Sequence, residues 1–399
     1  MKEVYLDYAA TTPVDKQVFK EMEFYLKDEY GNPSSIYLKG QRAKNAVENS
    51  REKIAKIINA DSSEIVFTSC ATESSNLALK GVGFFRQLEK AGNHIITTKI
   101  EHPSVLNTIK YLVKVHGFKA TYIDVDKYGL VNVDDLKRAI TDKTILVSVM
   151  FANNEIGTIE PIKEIGDMLR DVNKIREAKN LKPIYFHVDA VQAVSYLDID
   201  VKDLNIDLMS ITGHKFYAPK GVGALYIKKG VELLPQQSGG GQEKHRRAGT
   251  ENVAGIVAMA KALEIVKEET KKEVERLSHL RDSIFNAFSE IEDSQITGSK
   301  TKRLPHIASF VFKYVEGESL LLKLNNKGIF ASTASACSSD SLSPSHVLLA
   351  IGIKHEVAHG SLRISLGKYT KKEDVDYLIK TLPPIISDLR EMSAVKGDF

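Results

Sequence analysis

The sequence predicts an α/β protein in which a mostly parallel sheet lies between helices and a smaller α+β unit follows. Three observations lead there. Between about residues 60 and 230, seven short apolar, β-branched runs alternate with amphipathic stretches of roughly ten to twenty residues. Several of these runs are apolar on both faces, as strands covered by helices on each side must be. Beyond residue 300 the pattern shortens and mixes strand-like with helix-like segments.

Taken in order, residues 1–40 read as an arm, with Pro13 opening a helix and Gly31-Asn32-Pro33 closing it. The expected strands of the large unit are 64–68, 94–98, 121–124, 145–150, 184–188, 208–211 and 223–227. Between them, 41–59, 74–90 and 161–179 carry a helical period, the last with Pro161 at a first-turn position. Ser238-Gly239-Gly240-Gly241-Gln242 breaks the alternation and marks a boundary, after which 254–292 reads as a long charged helix. The smaller unit then offers a strand at 307–312, a helix at 319–325, and a short strand at 329–331 running into a serine-rich loop. Residues 361–365 alternate like a half-buried strand, and 372–391 return to a helical period.

Composition limits the function. The chain has 399 residues, 43% hydrophobic and 27% charged, so it can bury a large core and is not a disordered polymer. Two cysteines cannot form a disulfide framework and point to a reducing compartment. A net charge of +3, from 55 basic and 52 acidic residues, gives no global case for nucleic acid or an anionic membrane. No apolar run reaches the length of a spanning helix, and the first residues show no leader, so a cytoplasmic protein is expected.

Open α/β sheets bind ligands outside the carboxyl ends of their strands. Three such ends carry unusual groups. After 184–188 come Asp189 and Gln192; after 208–211 come Thr212, His214 and Lys215. After 64–68, Ser69-Cys70-Ala71-Thr72 runs into a helix N-terminus, whose free N–H groups can cradle a phosphate. Singly, each has an ordinary explanation as a cap, a surface lysine or a satisfied histidine. Together they match what pyridoxal phosphate needs: an amine, an acid for the ring nitrogen, and phosphate donors. Neither a Walker loop nor a dinucleotide fingerprint is present.

Motifs along nearly the whole chain carry a resemblance. They are Tyr5-Leu6-Asp7-Tyr8-Ala9-Ala10-Thr11-Thr12-Pro13, Gly31-Asn32-Pro33, Ala71-Thr72-Glu73, Glu101-His102-Pro103, Asn153-Asn154-Glu155, His187-Val188-Asp189-Ala190, Gly213-His214-Lys215, Pro219-Lys220-Gly221-Val222-Gly223 and Ser335-Ala336-Cys337. In this the sequence resembles the cysteine desulfurases of the NifS/IscS type, class V aminotransferase-like enzymes of fold type I.

The resemblance implies a large cofactor domain of residues 16–259 with a seven-stranded sheet, and a small domain of 1–15 with 260–399. It implies that Lys215 binds the cofactor covalently and shuttles the substrate α-proton. By the same resemblance Asp189 pairs with the ring nitrogen, Gln192 with the ring hydroxyl, and His102 stacks on the ring and serves in proton transfer. Ala71 through its backbone, Thr72, Thr212 and His214 would hold the phosphate, with Thr250 reaching it from a second subunit of a homodimer. Asn154, which the resemblance also counts among the cofactor-binding residues, and Arg363 would orient substrate L-cysteine, Arg363 gripping its carboxylate in a bidentate fashion, with Asn32 assisting at that end.

The nucleophile is one of two thiols. Cys70 beside a helix N-terminus has a dipole that favours thiolate, but an adjacent phosphate opposes a second anion. Cys337 lies in a loop of small residues with little to bury, suited to carrying sulfur outward. The resemblance also selects Cys337, leaving Cys70 a filler. It implies alanine as product, a persulfide on Cys337, and an iron–sulfur scaffold protein or another persulfide acceptor such as a tRNA-thiolating enzyme as partner. Ala334 replaces the family's usual glycine in this loop, Ala248 a usual serine, and Thr212 another usual serine.

No resident metal is expected, Cys337 making at most transient contact with an iron–sulfur cluster on a partner. His355-Glu356-Val357-Ala358-His359 spells a zinc-protease pattern, but Gly352 and Gly360 leave it barely two turns, and the third-ligand position is Ser365. A catalytically idle sulfur-delivery partner, a selenocysteine lyase and a class V transaminase are the remaining alternatives. Retention of Lys215, Asp189, His102 and Cys337 together speaks against the first, and the Cys337 loop against the last.

Overall fold

The computed structural model describes residues 2–334 and 344–392. The chain enters through β1 (Val4–Tyr5), α1 (Lys16–Lys27) and α2 (Leu38–Ile57). It then builds the large unit from β2 (Ile65–Thr68), α3 (Ala71–Leu88), β3 (His94–Thr98), α4 (Pro103–His116) and β4 (Lys119–Ile123). The large unit continues with α5 (Val133–Arg138), β5 (Thr144–Met150), α6 (Ile162–Ala178), β6 (Tyr185–Asp189), β7 (Leu208–Thr212) and β8 (Gly223–Ile227). Helix α7 (Val253–Ser289) leads to β9 (Ser294–Ile296), β10 (Ile307–Phe312), α8 (Gly317–Asn325) and β11 (Ile329–Phe330). The last elements are α9 (His346–Ala350), α10 (His355–Ala358), β12 (Ser361–Ser365) and α11 (Lys372–Met392).

All seven strands expected between 60 and 230 form, and they make one sheet in the order β2-β8-β7-β6-β5-β3-β4. Only β8 runs against its neighbours. The carboxyl ends of the other six therefore share one edge, the edge where ligands bind in such sheets. Strands β2, β3, β5, β6 and β7 are buried along their whole length, in keeping with their two-sided apolar sequence. Strand β4 starts earlier than the sequence suggests because Lys119 and Ala120 pair with His94 and Ile95.

Several local expectations shift for identifiable reasons. Helix α1 is opened by the Asp15 carboxylate accepting the Gln17 N–H at 2.8 Å, not by Pro13, and it ends at Lys27, before Gly31-Asn32-Pro33. Pro161 is the cap of α6 and lies outside its first turn. Helix α4, which the sequence reading did not single out, has Pro103 at its start and the left-handed Gly117 (φ 69°) at its end.

The correction that bears most on function concerns β12. Its alternation suggested one face in solvent, yet all five residues are buried. Leu362 and Ile364 pack in the apolar core of the smaller unit, while Ser361, Arg363 and Ser365 turn toward Ala334 beyond β11, the loop after β5 and the arm, respectively. The polar face of the strand is buried because it is spent on a site.

A three-stranded antiparallel sheet, β12-β10-β9, supports the smaller unit, and β1 pairs with β11 in parallel. Helix α7 joins the cores: Val253 to Val266 pack with the large sheet, Leu277 to Phe288 with β10 and β12. Helix α10 has four residues, and among the described residues no group of three or more potential ligands could hold a metal ion. The zinc-protease pattern is thus a short surface turn. No helix among the described residues is long and apolar enough to cross a membrane.

Candidate active site

At the shared strand edge lies a cavity of about 290 Å³. Of the residues singled out in the sequence, Ala71, Thr72, His102, Asn154, Asp189, Gln192, Thr212, His214, Lys215 and Arg363 line it. They arrive from the ends of β2, β3, β5, β6 and β7 or the turns after them, with Arg363 coming from the middle of β12, which is why residues spread from 71 to 363 converge.

Lys215 closes a single 3-10 turn, Gly213–Lys215, directly after β7. Its Nζ donates to the carbonyls of Ala9 and Ala10, both at 2.7 Å. The Ala9 carbonyl also accepts from Gln192 Nε2 at 3.0 Å, so the N-terminal arm holds the amine and the amide together. Those carbonyls had no signature of their own in the sequence beyond the small side chains that let the backbone come close.

Asp189 ends β6, and its Oδ1 accepts the Val191 N–H at 3.1 Å. Burial raises its carboxyl to about 6, against the pull of that N–H and of Lys215. A cationic partner would restore its charge. His102 caps α4, Nδ1 accepting the Ser104 N–H at 3.1 Å, which leaves the ring hydrogen on Nε2. Burial first, then Lys215 and His346, lower it to about 4, so the ring is neutral at physiological pH. His214 is likewise lowered to about 4, mainly by burial, and its Nδ1 meets Thr11 Oγ1 at 3.2 Å.

The α3 N-terminus has no side-chain cap: Cys70 occupies the cap position, and Cys70, Ala71 and Thr72 face the cavity. Cys70 is half-buried there, not a core filler. Thr212 turns its hydroxyl to the Val222 carbonyl at 3.2 Å.

Arg363 is only 3% exposed. Its Nη1 donates to the Asn154 carbonyl at 3.0 Å and its Nη2 to Asp7 at 2.8 Å, while Nε has no partner among the described residues. Burial raises the Asp7 carboxyl although Arg363 draws it down. A buried guanidinium with an unsatisfied donor beside a cavity is suited to gripping an incoming carboxylate.

Two sequence candidates stand apart from the cavity. Asn32 is exposed, its Oδ1 accepting the Ser34 N–H at 2.9 Å, and Thr250 is exposed on the loop before α7. Cys337 lies outside the described residues. The chain on either side of it is described: Ala334 is buried in the small unit, and Ser345 caps α9.

The donor set fits pyridoxal phosphate. It supplies an amine, a buried carboxyl raised by burial and ready to pair with a ring N–H, and an uncapped helix N-terminus for an anion. The aminotransferase class-V family matches residues 4–378. The chain belongs to that family, among the IscS-type cysteine desulfurases. It is 52% identical to a cysteine desulfurase IscS of Clostridium botulinum over 401 aligned positions, covering 100% of this chain and 98% of the relative. A cysteine desulfurase IscS of Methanosarcina thermophila is 51% identical, covering 98% of this chain and 94% of the other. Among solved structures, a NifS-like protein superposes with a TM-score of 0.89 at 40% identity, covering 97% of this chain and 100% of the other. For this class-V family member, the fold-type I architecture expected from the sequence holds.

Proposed function

We propose that the chain is a pyridoxal phosphate-dependent cysteine desulfurase that removes sulfur from L-cysteine, releasing L-alanine and leaving a persulfide on Cys337. The observation that carries this reading is the convergence of Lys215, Asp189 and the uncapped α3 N-terminus on one cavity beside Arg363.

Lys215 would hold the cofactor through its amine, and as the lysine lining the cavity it would serve as the base for the substrate α-proton. Ala71, Thr72 and His214 anchor the phosphate; Thr212 backs that end from its bond to Val222. Asp189 would keep the ring nitrogen protonated, Gln192 would bond the ring hydroxyl, and neutral His102, with its hydrogen on Nε2, would stack on the ring and serve in proton transfer. Bound pyridoxal phosphate supplies an aldehyde for the substrate amine and a pyridinium that accepts the electron pair left by a departing α-proton. Arg363 and Asn154 would orient the substrate carboxylate, with Asn32 assisting at that end. The Cys337 thiolate attacks the substrate sulfur; the carbon–sulfur bond breaks with its electrons returning to carbon, and protonation there together with return of a proton to the α-carbon completes alanine.

The persulfide passes to an iron–sulfur scaffold protein or to another acceptor such as a tRNA-thiolating enzyme. The working assembly is a cytoplasmic homodimer in which Thr250 reaches the partner's phosphate site. Exposure of Thr250, and of Phe19, Phe24, Tyr30, Ile36 and Tyr37 along the N-terminal segment, supports a second copy covering this side.

The test is mass spectrometry after incubation with cysteine. A gain of about 32 Da, one sulfur atom, is expected on the Cys337 peptide and not on the Cys70 peptide. Cys337→Ala should keep the cofactor colour and lose sulfide release; full turnover by that variant removes Cys337 from the mechanism.

A further inference from the structure

The sequence singled out Asn153-Asn154-Glu155 as a motif, and the function above uses only Asn154. Glu155 is nevertheless a carboxyl 5% exposed, in a turn that is rigidly held. Asn153, fully buried, accepts the N–H groups of Glu155 at 2.8 Å and Ile156 at 3.0 Å, and donates to the Ile100 carbonyl at 2.9 Å. A buried carboxyl costs stability unless it bonds something, so its partner identifies its task. That partner is the hydroxyl of Ser345.

Ser345 is the cap of α9, accepting the N–H groups of Val347 at 3.1 Å and Leu348 at 3.2 Å. Its lone pairs are thereby engaged, and its single hydrogen goes to Glu155 Oε2. His346 Nε2 bonds the Glu101 carbonyl at 3.0 Å, next to His102. Ala334, Val347 and Leu348 pack in one apolar cluster with Met150 and Ile156.

The other end of the same stretch is fastened to the same place. The Ala334 N–H donates to Ser361 Oγ at 3.2 Å, and Ser332 exchanges backbone bonds with Arg363 at 2.7 and 3.2 Å. Arg363 in turn bonds the Asn154 carbonyl. Ala334 is therefore fastened to the strand of Arg363, and Ser345 to the turn of Asn154. Arg363 and Asn154 line the cavity, on the side where the substrate carboxylate would lie.

We infer that Glu155 is a positioning residue for sulfur transfer: through Ser345 it fixes the return end of the Cys337 segment to the turn that presents Asn154. The inference rests on the desulfurase reading and on Cys337 as the sulfur carrier. Glu155 touches neither substrate nor cofactor, so its effect falls on the step in which the thiol must reach the substrate sulfur. A misplacement of about 1 Å in such a step costs on the order of 100-fold.

Single-turnover formation of the Cys337 persulfide in the cofactor-loaded enzyme decides it. Glu155→Ala should slow that step at least tenfold, while the absorbance change on adding cysteine and the KM stay within about threefold of wild type. Glu155→Gln retains an oxygen acceptor for Ser345 and should recover most of the rate. Ser345→Gly removes the hydroxyl but keeps an acceptable helix start; it should repeat the Glu155→Ala defect and decides the matter if Glu155→Ala does not fold. An undiminished persulfide rate in Ser345→Gly or Glu155→Ala overturns the inference. So does equal loss in the Gln and Ala variants accompanied by loss of the cysteine-induced absorbance change. A wild-type enzyme that forms no Cys337 persulfide refutes the underlying reading instead.

Discussion

Lys215 shows how a residue legible in sequence acquires its surroundings only in three dimensions. Its motif and its place after a strand marked it, yet what holds its amine is two backbone carbonyls about 205 positions away, at Ala9 and Ala10. Backbone atoms leave no pattern in a sequence, so this half of the site was invisible. The same holds for Glu155, whose partner is 190 positions distant. Cys70 was legible in its place, beside a helix N-terminus, and the uncapped start of α3 sets it on the cavity wall. With the amine replaced by methyl, no other described lysine lines the cavity to take its place. Lys215→Ala should lose the visible absorbance that borohydride removes in the wild type, with turnover falling by about 1,000-fold or more. Retained absorbance and sulfide release would take Lys215 out of the role given to it.

At the scale of elements, strands were read best where burial on both faces wrote itself into the residues, as in β3 and β5. Helix starts were read less well, because caps such as Asp15 and His102 are set by one hydrogen bond each. Strand β12 was misread because its alternating polar residues face the site and not water. Strand β8 carries a further constraint. A Cβ on Gly223 would lie 2.9 Å from the Cys70 carbonyl carbon and 2.9 Å from the Ile211 oxygen. Both neighbours are backbone, one in the central sheet and one at the start of α3, so neither yields without moving the N-terminus of α3 that is proposed to hold the phosphate. Gly223→Ala should therefore lower stability by about 1–3 kcal/mol and weaken cofactor retention. Equilibrium dialysis against free pyridoxal phosphate, alongside denaturant unfolding, checks both; unchanged cofactor affinity would show that β8 and the cradle are not mechanically joined.

For the whole molecule, α7 belongs to both apolar cores, its contribution passing from one to the other between Val266 and Leu277. We propose that the division between large and small domains crosses this helix between Val266 and Leu277, a little beyond the 259/260 boundary that the resemblance implies. Such a large buried interior also encloses ionisable groups, and these set the pH response of the fold. Burial raises Glu155 to about 7 and Glu160 to about 8, and pushes Glu101 well above the ordinary range. Glu160 accepts the Val131 N–H at 2.9 Å, while its Oε1 has no partner among the described residues. An unfolded chain releases these protons near pH 4.3, so above that pH the folded state binds more protons than the unfolded. Stability from these carboxyls thus declines as pH rises, and is lost once pH passes their folded values. Buried histidines act in the reverse direction: His102 and His214 are lowered to about 4, and His187 and His306 to about 3, each mainly by burial. Their contribution rises with pH only up to their unfolded value near 6.5. Above that point the carboxyls act unopposed. Cofactor-free protein should lose stability from pH 6.5 to 8.5 in urea unfolding, and Glu160→Gln, neutral at every pH, should flatten the decline. The change is up to about 1.4 kcal/mol per pH unit across the range where Glu160 titrates. An identical slope in the variant and the wild type would show that Glu160 does not hold its proton in the folded state.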